Sequence, residues 1–205
     1  MNYADLDLGT SELVYPPSED TELAAMLLEN YLEDAGNRDI RVLDMGTGSG
    51  ALGITAAMSS KVSSVLFADK NDDALSLARK NVSSNKKSLH AVCSFVKTDL
   101  FSGIDDAERF EVIMFNPPYL PTEGEKSQLE NTWNGGRTGV EVTIAFLNGA
   151  VGHLDEKGVI LVVTSSLADE GRFYSVAEGL GLSVRTKRTV HVFFEDITAI
   201  TLAKQ

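Results

Sequence analysis

Four consecutive residues, Asn116-Pro117-Pro118-Tyr119, form the stretch of this sequence best suited to hold a reacting group. Neither proline has a backbone N–H, and each fixes φ near about −65°, so the stretch is rigid and presents carbonyl oxygens. The residue before a proline is driven towards extended geometry, which holds Asn116 at the end of the preceding strand. The Asn116 side-chain oxygen and the Pro117 carbonyl can each accept one N–H of an amino group, while Tyr119 offers a flat face for stacking. We therefore predict a site that grips a planar NH2 group.

A plain Pro-Pro turn is the alternative interpretation, and for an isolated Pro-Pro pair we would favour it. Here the pair follows Phe110–Phe115, a mostly apolar run that is typical of a buried strand. It also lies downstream of a glycine-rich loop, which favours the functional interpretation. A transferase that acts on a weakly nucleophilic amide or aromatic amino nitrogen needs such acceptors, because it must hold that nitrogen by its hydrogens.

The glycine-rich loop covers residues 44–50, with the sequence Asp-Met-Gly-Thr-Gly-Ser-Gly. Its glycines stand where a predicted strand turns into a helix, so a ligand can contact backbone that side chains would otherwise cover. Gly48, Gly50 and Gly53 also match the G-x-G-x-x-G pattern, and Asp69 follows about 20 residues later, as in dinucleotide sites. On this loop alone, a dinucleotide site remains an alternative.

Acidic or amide residues close four successive predicted strands. Asp44, Asp69, Asp99 and Asn116 occupy these positions, which face the same crevice in a doubly wound sheet. Asp69 can accept both hydroxyls of a ribose, and Asp99 can accept the amino hydrogens of an adenine, with Leu100 packed beside the base. Each aspartate read singly could be a helix cap or a solvated loop residue. Together they predict a nucleoside-containing ligand.

Strands and helices alternate along the chain. The predicted strands cover residues 40–44, 64–69, 91–98, 111–116 and 158–164, and the predicted helices cover residues 20–34, 51–59, 72–82, 140–153 and 169–180. This alternation is typical of a parallel sheet with helices on both faces. Two β-rich runs, residues 182–192 and 194–202, are too close for a helical crossover, so they should pair antiparallel. The predicted fold is α/β, a doubly wound and mostly parallel seven-stranded sheet with an antiparallel C-terminal strand.

A single domain is predicted for residues 1–205, because 205 residues with 43% hydrophobic content can build one substantial core but not two comfortable ones. No apolar run reaches the roughly 18 residues that span a bilayer, and no basic region precedes an apolar run at the start. We expect a soluble, cytoplasmic protein with no membrane partner. The single cysteine, Cys93, cannot form an internal disulfide and is expected to be a small buried residue of a strand.

The net charge of −12 is concentrated at the start of the chain, where residues 1–40 hold ten acidic residues and one basic residue. Nucleic-acid-binding proteins usually present a basic stripe, so nucleic acid is the less favoured partner. An acidic surface suits a cationic ligand or a basic protein. The three histidines, His90, His153 and His191, have no cysteine or carboxylate at ligand spacing, so no metal site is predicted and each is expected on the surface or in a strand.

The glycine loop, the later aspartates and the Asn-Pro-Pro-Tyr motif resemble those of class I S-adenosylmethionine-dependent methyltransferases that modify planar nitrogens. Two further stretches narrow the resemblance: residues 14–21, Val-Tyr-Pro-Pro-Ser-Glu-Asp-Thr, and residues 133–136, Trp-Asn-Gly-Gly. Both are similar to the HemK family of glutamine N5-methyltransferases, which act on translation release factors. The short archaeal and eukaryotic branch is the most similar, because the bacterial branch carries an extra N-terminal helical domain for which this sequence has no room.

The resemblance implies a Rossmann-like methyltransferase fold, S-adenosylmethionine as cofactor, and the glutamine of a release factor's Gly-Gly-Gln loop as substrate. It implies that Asn116 and Pro117 hold the substrate amide. With the stacking face of Tyr119, we predict Asn116, Pro117 and Tyr119 as catalytic residues, and these residues with Pro118 as the substrate-binding residues. The cofactor-binding residues that we predict are Thr21, Asp44, Gly46, Gly48, Gly50, Asp69, Asp99, Leu100 and Asn116. Members of this branch often work with a small zinc-binding activator protein that pairs along a sheet edge, so such a partner is also expected.

The predicted reaction is an in-line displacement in which the substrate nitrogen attacks the donor methyl group, with alignment and desolvation supplying most of the rate. The closest alternative is a methyltransferase for adenine or guanine amino groups in RNA or DNA, because it would use the same four-residue motif. A cofactor-binding module without turnover and a nicotinamide-dependent dehydrogenase are further alternatives. Residues 120–139 are predicted to form a loop over the site, and Ser165-Ser166 to cap the following helix.

Overall fold

The computed structural model describes residues 5–36, 39–121 and 135–205. Within these ranges, seven strands form one sheet in the order β3-β2-β1-β4-β5-β7-β6. The strands are β1 (Ile40–Met45), β2 (Val62–Asp69), β3 (Val92–Lys97), β4 (Phe110–Phe115), β5 (Leu154–Ser165), β6 (Leu182–Val192) and β7 (Glu195–Lys204). The helices are α1 (Glu19–Asp34), α2 (Ala51–Ala57), α3 (Asp72–Ser84), α4 (Glu141–His153) and α5 (Glu170–Gly179), with one 3-10 turn at Lys86–Ser88.

The pairing of the strands confirms the predicted fold class. Strands β1 to β5 are joined by parallel pairs, whereas β7 runs antiparallel to both β5 and β6. Most predicted elements are recovered within two residues of their ends. The largest difference is at β5, which begins at Leu154 because this residue already pairs with Phe110 across an irregularity in the register.

Two apolar layers cover the sheet, one on each face. Alternate residues of a strand point to opposite faces, so Val112 and Met114 of β4 pack with the layer that contains α1 and α2, while Ile113 and Phe115 pack with the layer of α4 and α5. Within the described residues, the helices are too short or too polar to cross a lipid bilayer. The central strands β1 and β4 are therefore mostly buried, and because β1 to β5 run parallel, their carboxyl ends lie along one edge of the sheet.

The segment before α1 is fastened to α3 by two asparagine side chains. Asn81 Oδ1 accepts a hydrogen bond from the Gly9 N–H at 2.9 Å, and Asn81 Nδ2 donates to the Ser49 carbonyl at 2.8 Å. One helical turn later, Asn85 accepts from the Asp7 N–H at 3.0 Å and donates to the Asp7 carbonyl at 2.8 Å. These bonds satisfy backbone groups of a segment without regular structure and direct it towards the glycine loop.

Lys61 closes the carboxyl end of α1. Its ammonium group donates to the carbonyl oxygens of Leu32, Glu33 and Ala35 at 2.7, 2.8 and 2.5 Å. Four carbonyls at the end of a helix have no partner within the helix, and a cation there also opposes the negative end of the helix dipole. A residue in the loop before β2 thus satisfies two acceptors in the last turn of α1 and the carbonyl of Ala35, the residue that follows the helix.

Three minor expectations are wrong or incomplete. Ser165 and Ser166 do not cap a helix: the Asp169 side chain caps α5 by accepting from the Arg172 N–H at 3.0 Å. His153 is neither on the surface nor in a strand, because it ends α4, is buried, and stacks on Phe101 with ring centroids 4.9 Å apart. Cys93 does lie in β3, but it is half-buried, since β3 is the edge strand.

Candidate functional site

The carboxyl ends of β1, β2 and β4 open into one cleft of about 1140 Å³. The predicted site residues that line it are Thr21, Asp44, Gly46, Gly48, Asp69, Asp99, Leu100, Asn116, Pro117, Pro118 and Tyr119. Gly50 does not line the cleft; it precedes α2 with φ 83° and packs against Ala78. Residues from five separate parts of the sequence therefore meet at the edge where parallel strands end.

The glycine loop exposes its backbone to the cleft because it takes up left-handed conformations. Gly46, Gly48 and Gly50 have φ values of 58°, 54° and 83°. At Gly46, an added Cβ would lie only 2.8 Å from Phe115 Cε2, so a side chain there would displace the Phe115 ring. Left-handed φ values are costly for residues with a side chain. The loop conformation therefore depends on glycine.

The Asp44 side chain stabilises the glycine loop through two hydrogen bonds. Its Oδ2 accepts hydrogen bonds from Thr47 Oγ1 at 2.5 Å and from the Gly53 N–H at 3.0 Å. Complete burial raises the pKa of Asp44 to about 7, although these two hydrogen bonds act in the opposite direction. The charge of Asp69 adds to the increase. Asp44 thus fixes the loop through Thr47 and Gly53, and its charge is sensitive to pH near neutrality.

Asp69, the last residue of β2, faces the cleft from beside the glycine loop. Its Oδ2 accepts from the Gly48 N–H at 3.0 Å, and its Oδ1 accepts from the Asn71 N–H at 2.9 Å. Burial raises the pKa of Asp69, while these backbone donors lower it. Each carboxylate oxygen has further lone pairs available, so Asp69 can accept additional donors from a ligand.

Asp99 and Leu100 follow β3 at the far end of the cleft. Asp99 is exposed, and Leu100 has a left-handed φ of 49°, which is unusual for a residue with a side chain. The Thr98 hydroxyl holds this turn by donating to the Leu100 carbonyl at 2.8 Å and by accepting from the Gly103 N–H at 2.8 Å. The strained turn places an exposed carboxylate and an apolar side chain next to each other at the cleft.

Only the nitrogen of the Asn116 side-chain amide has hydrogen-bond partners among the described residues. Its Nδ2 donates to Asp20 Oδ2 at 3.0 Å and lies 3.4 Å from Thr21 Oγ1. Its Oδ1 is buried and has no hydrogen-bond partner among the described residues. A buried acceptor without a partner is costly. Asn116 lines the cleft, so this oxygen is a side-chain acceptor there that lacks a donor among the described residues.

Asp20 also lines the cleft, although the sequence did not predict it as a site residue. Only 3% of it is exposed, and its Oδ2 accepts from the Tyr119 hydroxyl at 3.0 Å as well as from Asn116. Its Oδ1 accepts from the Thr21 N–H at 2.6 Å. Burial raises the pKa of Tyr119, and the Asp20 charge raises it further, so Tyr119 remains a donor. The signal in the sequence was a Glu-Asp-Thr triplet, which also fits an ordinary acidic first turn of a helix.

Two glycines, Gly135 and Gly139, pack closely against the backbone of the loop after β4. An added Cβ on Gly139 would lie 2.5 Å from the Tyr119 carbonyl oxygen, and one on Gly135 would lie 2.8 Å from the Pro118 carbonyl oxygen. Gly135 also donates from its N–H to the Leu120 carbonyl at 3.0 Å. The predicted covering loop is described only at its two ends, because residues 122–134 lie outside the described ranges. At those ends, close backbone packing fixes the Pro-Pro-Tyr segment.

No group of three or more potential metal ligands occurs among the residues that the structure describes. The cleft is instead lined by carboxylates, backbone amides and carbonyls, apolar side chains and the Asn116 amide. This set can bind a nucleoside with a cationic centre and can orient an NH2 group.

Two relatives share much of this sequence. The chain is 35% identical over 190 residues to a Methanocaldococcus jannaschii protein named provisionally as a protein N5-glutamine methyltransferase, and the match covers 91% of this chain and 90% of that protein. It is 33% identical over 130 residues to the release factor glutamine methyltransferase of Lactococcus lactis, covering 63% of this chain and 44% of the relative. This chain thus matches less than half of the bacterial protein.

Solved structures show the same fold. The Mtq2 and Trm112 complex of E. cuniculi, described as responsible for methylation of the eRF1 translation termination factor, superimposes with a TM-score of 0.71. The match covers 94% of this chain and 99% of that chain, at 23% sequence identity.

A family model described as the methyltransferase small domain matches residues 18–176, which include Asp20, the glycine loop and the Asn-Pro-Pro-Tyr motif. This span is more than half of the chain, and the Methanocaldococcus jannaschii relative is matched over most of both sequences. The predicted resemblance and enzyme class are thereby confirmed. This chain is a methyltransferase and belongs to the methyltransferase small domain family.

Proposed function

We propose that this protein is an S-adenosylmethionine-dependent N5-glutamine methyltransferase that modifies the Gly-Gly-Gln loop of a translation release factor. The observation that carries the proposal is the buried, unpartnered Oδ1 of Asn116 at the cleft. A primary carboxamide has two N–H donors on a planar nitrogen. Asn116 Oδ1 accepts one of them, and the neighbouring Pro117 carbonyl accepts the other.

The residues around the glycine loop fit this cofactor. Asp69 binds the ribose hydroxyls, Asp99 binds the adenine amino group, and Leu100 packs beside the base. Thr21, Asp44, Gly46 and Gly48 also line the cleft. The bound cofactor supplies an electrophilic methyl group on a sulfonium cation. The acidic lining favours such a cation over a phosphate-bearing dinucleotide.

The protein's contribution to the reaction is alignment. Asn116 and Pro117 orient the substrate nitrogen by its two hydrogens, and the rigid prolines keep the acceptors in place as positive charge develops on that nitrogen. No strong base is needed, because the N–H protons become acidic as charge develops. When the substrate nitrogen takes the methyl group, S-adenosylhomocysteine would leave and one N–H proton would pass to solvent, while the same two oxygens share the charge. Tyr119 lines the cleft and donates its hydroxyl hydrogen bond to Asp20, the residue that also holds Asn116.

Two considerations favour protein glutamine over a nucleobase. The net charge of −12 opposes a polyphosphate chain, and both sequence relatives above carry glutamine methyltransferase in their names. We also propose that the protein works in the cytoplasm, where translation release factors act, as one methyltransferase domain over residues 1–205. A small activator protein joins it, as Trm112 joins Mtq2 in the related complex, and we propose that this activator binds zinc.

A transfer experiment tests this function. The purified protein, with and without its small zinc-binding partner, is incubated with methyl-labelled cofactor and either release factor or total RNA. We expect label on the release factor, at the glutamine of its Gly-Gly-Gln loop, and none when that glutamine is replaced by alanine. Label that appears only on RNA, and that declines steeply with salt, would instead favour the nucleobase alternative.

A further inference from the structure

Two phenylalanines stand almost fully in solvent at the tip of the β6–β7 hairpin. Phe193 is 86% exposed and Phe194 is 94% exposed. They are adjacent in sequence and are the most exposed large apolar side chains among the described residues. Single exposed apolar residues are ordinary, whereas adjacent exposed aromatics next to a cleft indicate a contact surface.

The turn that carries them is held in an unfavourable conformation. Val192 pairs with Glu195 across the hairpin, so Phe193 and Phe194 are the two loop residues. Phe193 has a left-handed φ of 54°, at a position where two-residue hairpin turns favour glycine. A bulky side chain at such an angle costs free energy. Both the exposure and the strain at Phe193 are offset if a partner covers the tip.

The base of the hairpin is anchored, so the tip is presented at a fixed place. The Ser165 hydroxyl donates to the Glu195 carboxylate, and the Asp196 N–H donates to Ser166 Oγ at 2.9 Å. His191 Nδ1 lies 2.7 Å from Asp196 Oδ1 across the two strands. Ser165 and Ser166 therefore tie the start of β7 to the end of β5.

The hairpin tip lies at the acceptor side of the cleft. β7 is two strands from β4 in the sheet, which is roughly 10 Å across the strands. The tip also continues several residues beyond the end of β4, because Phe115 pairs with Val162 of β5 whereas Ser165, three residues later, pairs with Ile197 of β7. Val192, Phe193 and Glu195 line the cleft. Asp69 and Asp99 follow strands on the opposite side of β4.

The effect of the Glu195 charge on Tyr119 and Tyr15 agrees with a hairpin tip close to the cleft. Burial raises the pKa of Tyr119, Asp20 raises it further, and Glu195 adds a smaller increase. Glu195 also contributes to the raised pKa of Tyr15, after burial and Asp20. The carboxylates of Glu195 and Asp196 directly follow the aromatic tip in β7, so the tip has negative charge beside it.

The geometry points to the Phe193-Phe194 tip as a docking surface for the protein that carries the methylated glutamine. That protein contacts the tip with an apolar patch flanked by basic side chains, while its loop reaches Asn116. Protein is favoured over RNA because Glu195 and Asp196 would repel phosphate next to the aromatic rings. The inference rests on the proposed function and names the surface that brings the substrate to the site.

Binding and turnover measured separately test the docking surface. Binding of release factor to the enzyme with S-adenosylhomocysteine is measured by calorimetry for the wild type and for Phe193→Asn/Phe194→Ser. We expect at least tenfold weaker binding by the double variant. For Phe194→Ser, whose side chain does not line the cleft, KM for whole release factor should rise severalfold, with kcat unchanged and with unchanged rates on a short peptide containing Gly-Gly-Gln.

Val184→Ser is the matched control, because Val184 is an exposed apolar residue at the other end of β6. It should bind release factor like the wild type. Equal binding by the double variant and the wild type would overturn the docking surface, even if glutamine is methylated. Labelling of RNA alone would contradict the proposed function, and loss of RNA binding by the double variant would overturn the choice of a protein partner.

Discussion

At the residue scale, the contact between Asp20 and Asn116 controls which end of the Asn116 amide faces the cleft. An ionised carboxylate only accepts hydrogen bonds, so Asn116 must turn its NH2 group towards Asp20. The amide oxygen then points the other way and remains unpartnered. Tyr119 donates to the same Asp20 oxygen, which fixes the carboxylate in turn. Asp20 is therefore a positioning residue for the acceptor that we assign to the substrate.

Asp20→Asn should disturb this orientation while leaving the fold in place. If the oxygen of the new amide at position 20 still accepts from the Thr21 N–H, the NH2 group of that amide faces Asn116. The Asn116 amide must then rotate so that its oxygen, instead of its nitrogen, faces position 20. We expect kcat to decrease about 100-fold, as for the loss of one aligned polar group in an active site. The affinity for S-adenosylhomocysteine, measured by calorimetry, should change by less than about threefold, since the contact does not involve Asp69 or Asp99.

Tyr119→Phe is the comparison for this prediction. It removes the hydroxyl bond to Asp20 but keeps the bond between Asp20 and Asn116, so kcat should decrease only about fivefold, the effect of one ordinary hydrogen bond. Asn116→Ala should lose several kcal/mol of transition-state stabilisation, because the acceptor itself is gone. If Asp20→Asn turns over as fast as the wild type, Asp20 does not orient Asn116.

Asp44 gives the stability of the protein a pH dependence of known sign. Its pKa is raised to about 7 in the fold, mainly by burial, so the folded protein retains a proton that the unfolded chain releases above its ordinary pKa near 3.8. The free energy of unfolding should therefore decrease as pH rises from about 4 to about 7, by up to about 4 kcal/mol for this group. Asp44→Asn should remove this part of the dependence in urea unfolding measured across that range.

The contribution of Asp44 is measured as the difference between two curves of unfolding free energy against pH, one for the wild type and one for Asp44→Asn. Asp69, whose pKa burial also raises, contributes in the same direction, so the wild type and Asp44→Asn should both retain that contribution. A wild-type curve and a variant curve that run parallel between pH 4 and 7 would contradict the prediction.

At the scale of the elements, the sequence predicts the strands and the edge of the sheet at which the candidate site lies, but it does not predict some of the long-range contacts. Apolar runs that end in Asp69 or Asn116 give a local signal, because parallel strands end at a common edge. Asp20 reaches Asn116 across 96 positions of the sequence, and an acidic first turn already explains such a residue locally. Likewise, no local pattern shows that Gly139 must approach the Tyr119 carbonyl.

Lys61 provides a test of how α1 is held. Lys61→Met keeps most of the aliphatic stem but removes three charge-assisted hydrogen bonds to the last carbonyls of α1. We expect the free energy of unfolding to decrease by about 1–3 kcal/mol, which corresponds to a Tm lower by roughly 3–10 °C in calorimetry for a domain of this size. Lys80→Met, which removes the same charge from an exposed position of α3, should change Tm by less than about 2 °C. Equal shifts for the two variants would show that the cap contributes nothing.

At the scale of the whole molecule, the cleft depends on every part of the sheet's carboxyl edge. The segment before α1, the glycine loop and the ends of β2, β3 and β4 all contribute to its lining. The N-terminal segment joins them through Asn81 and Asn85. A ligand that contacts all of these segments binds the folded state only, so its binding must stabilise the protein as a whole.

This linkage separates the cofactor from the dinucleotide that the glycine pattern alone would also fit. At 100 times its dissociation constant, S-adenosylhomocysteine should add about 2.7 kcal/mol to the free energy of unfolding, which raises Tm by roughly 5–10 °C. NAD at the same concentration should leave Tm unchanged, since the acidic lining opposes its phosphates. Asp69→Ala should reduce the shift caused by S-adenosylhomocysteine, because the carboxylate for the ribose hydroxyls is lost, and Val184→Ser should keep it in full. A Tm raised by NAD and not by S-adenosylhomocysteine would assign the glycine loop to a dinucleotide and overturn the proposed cofactor.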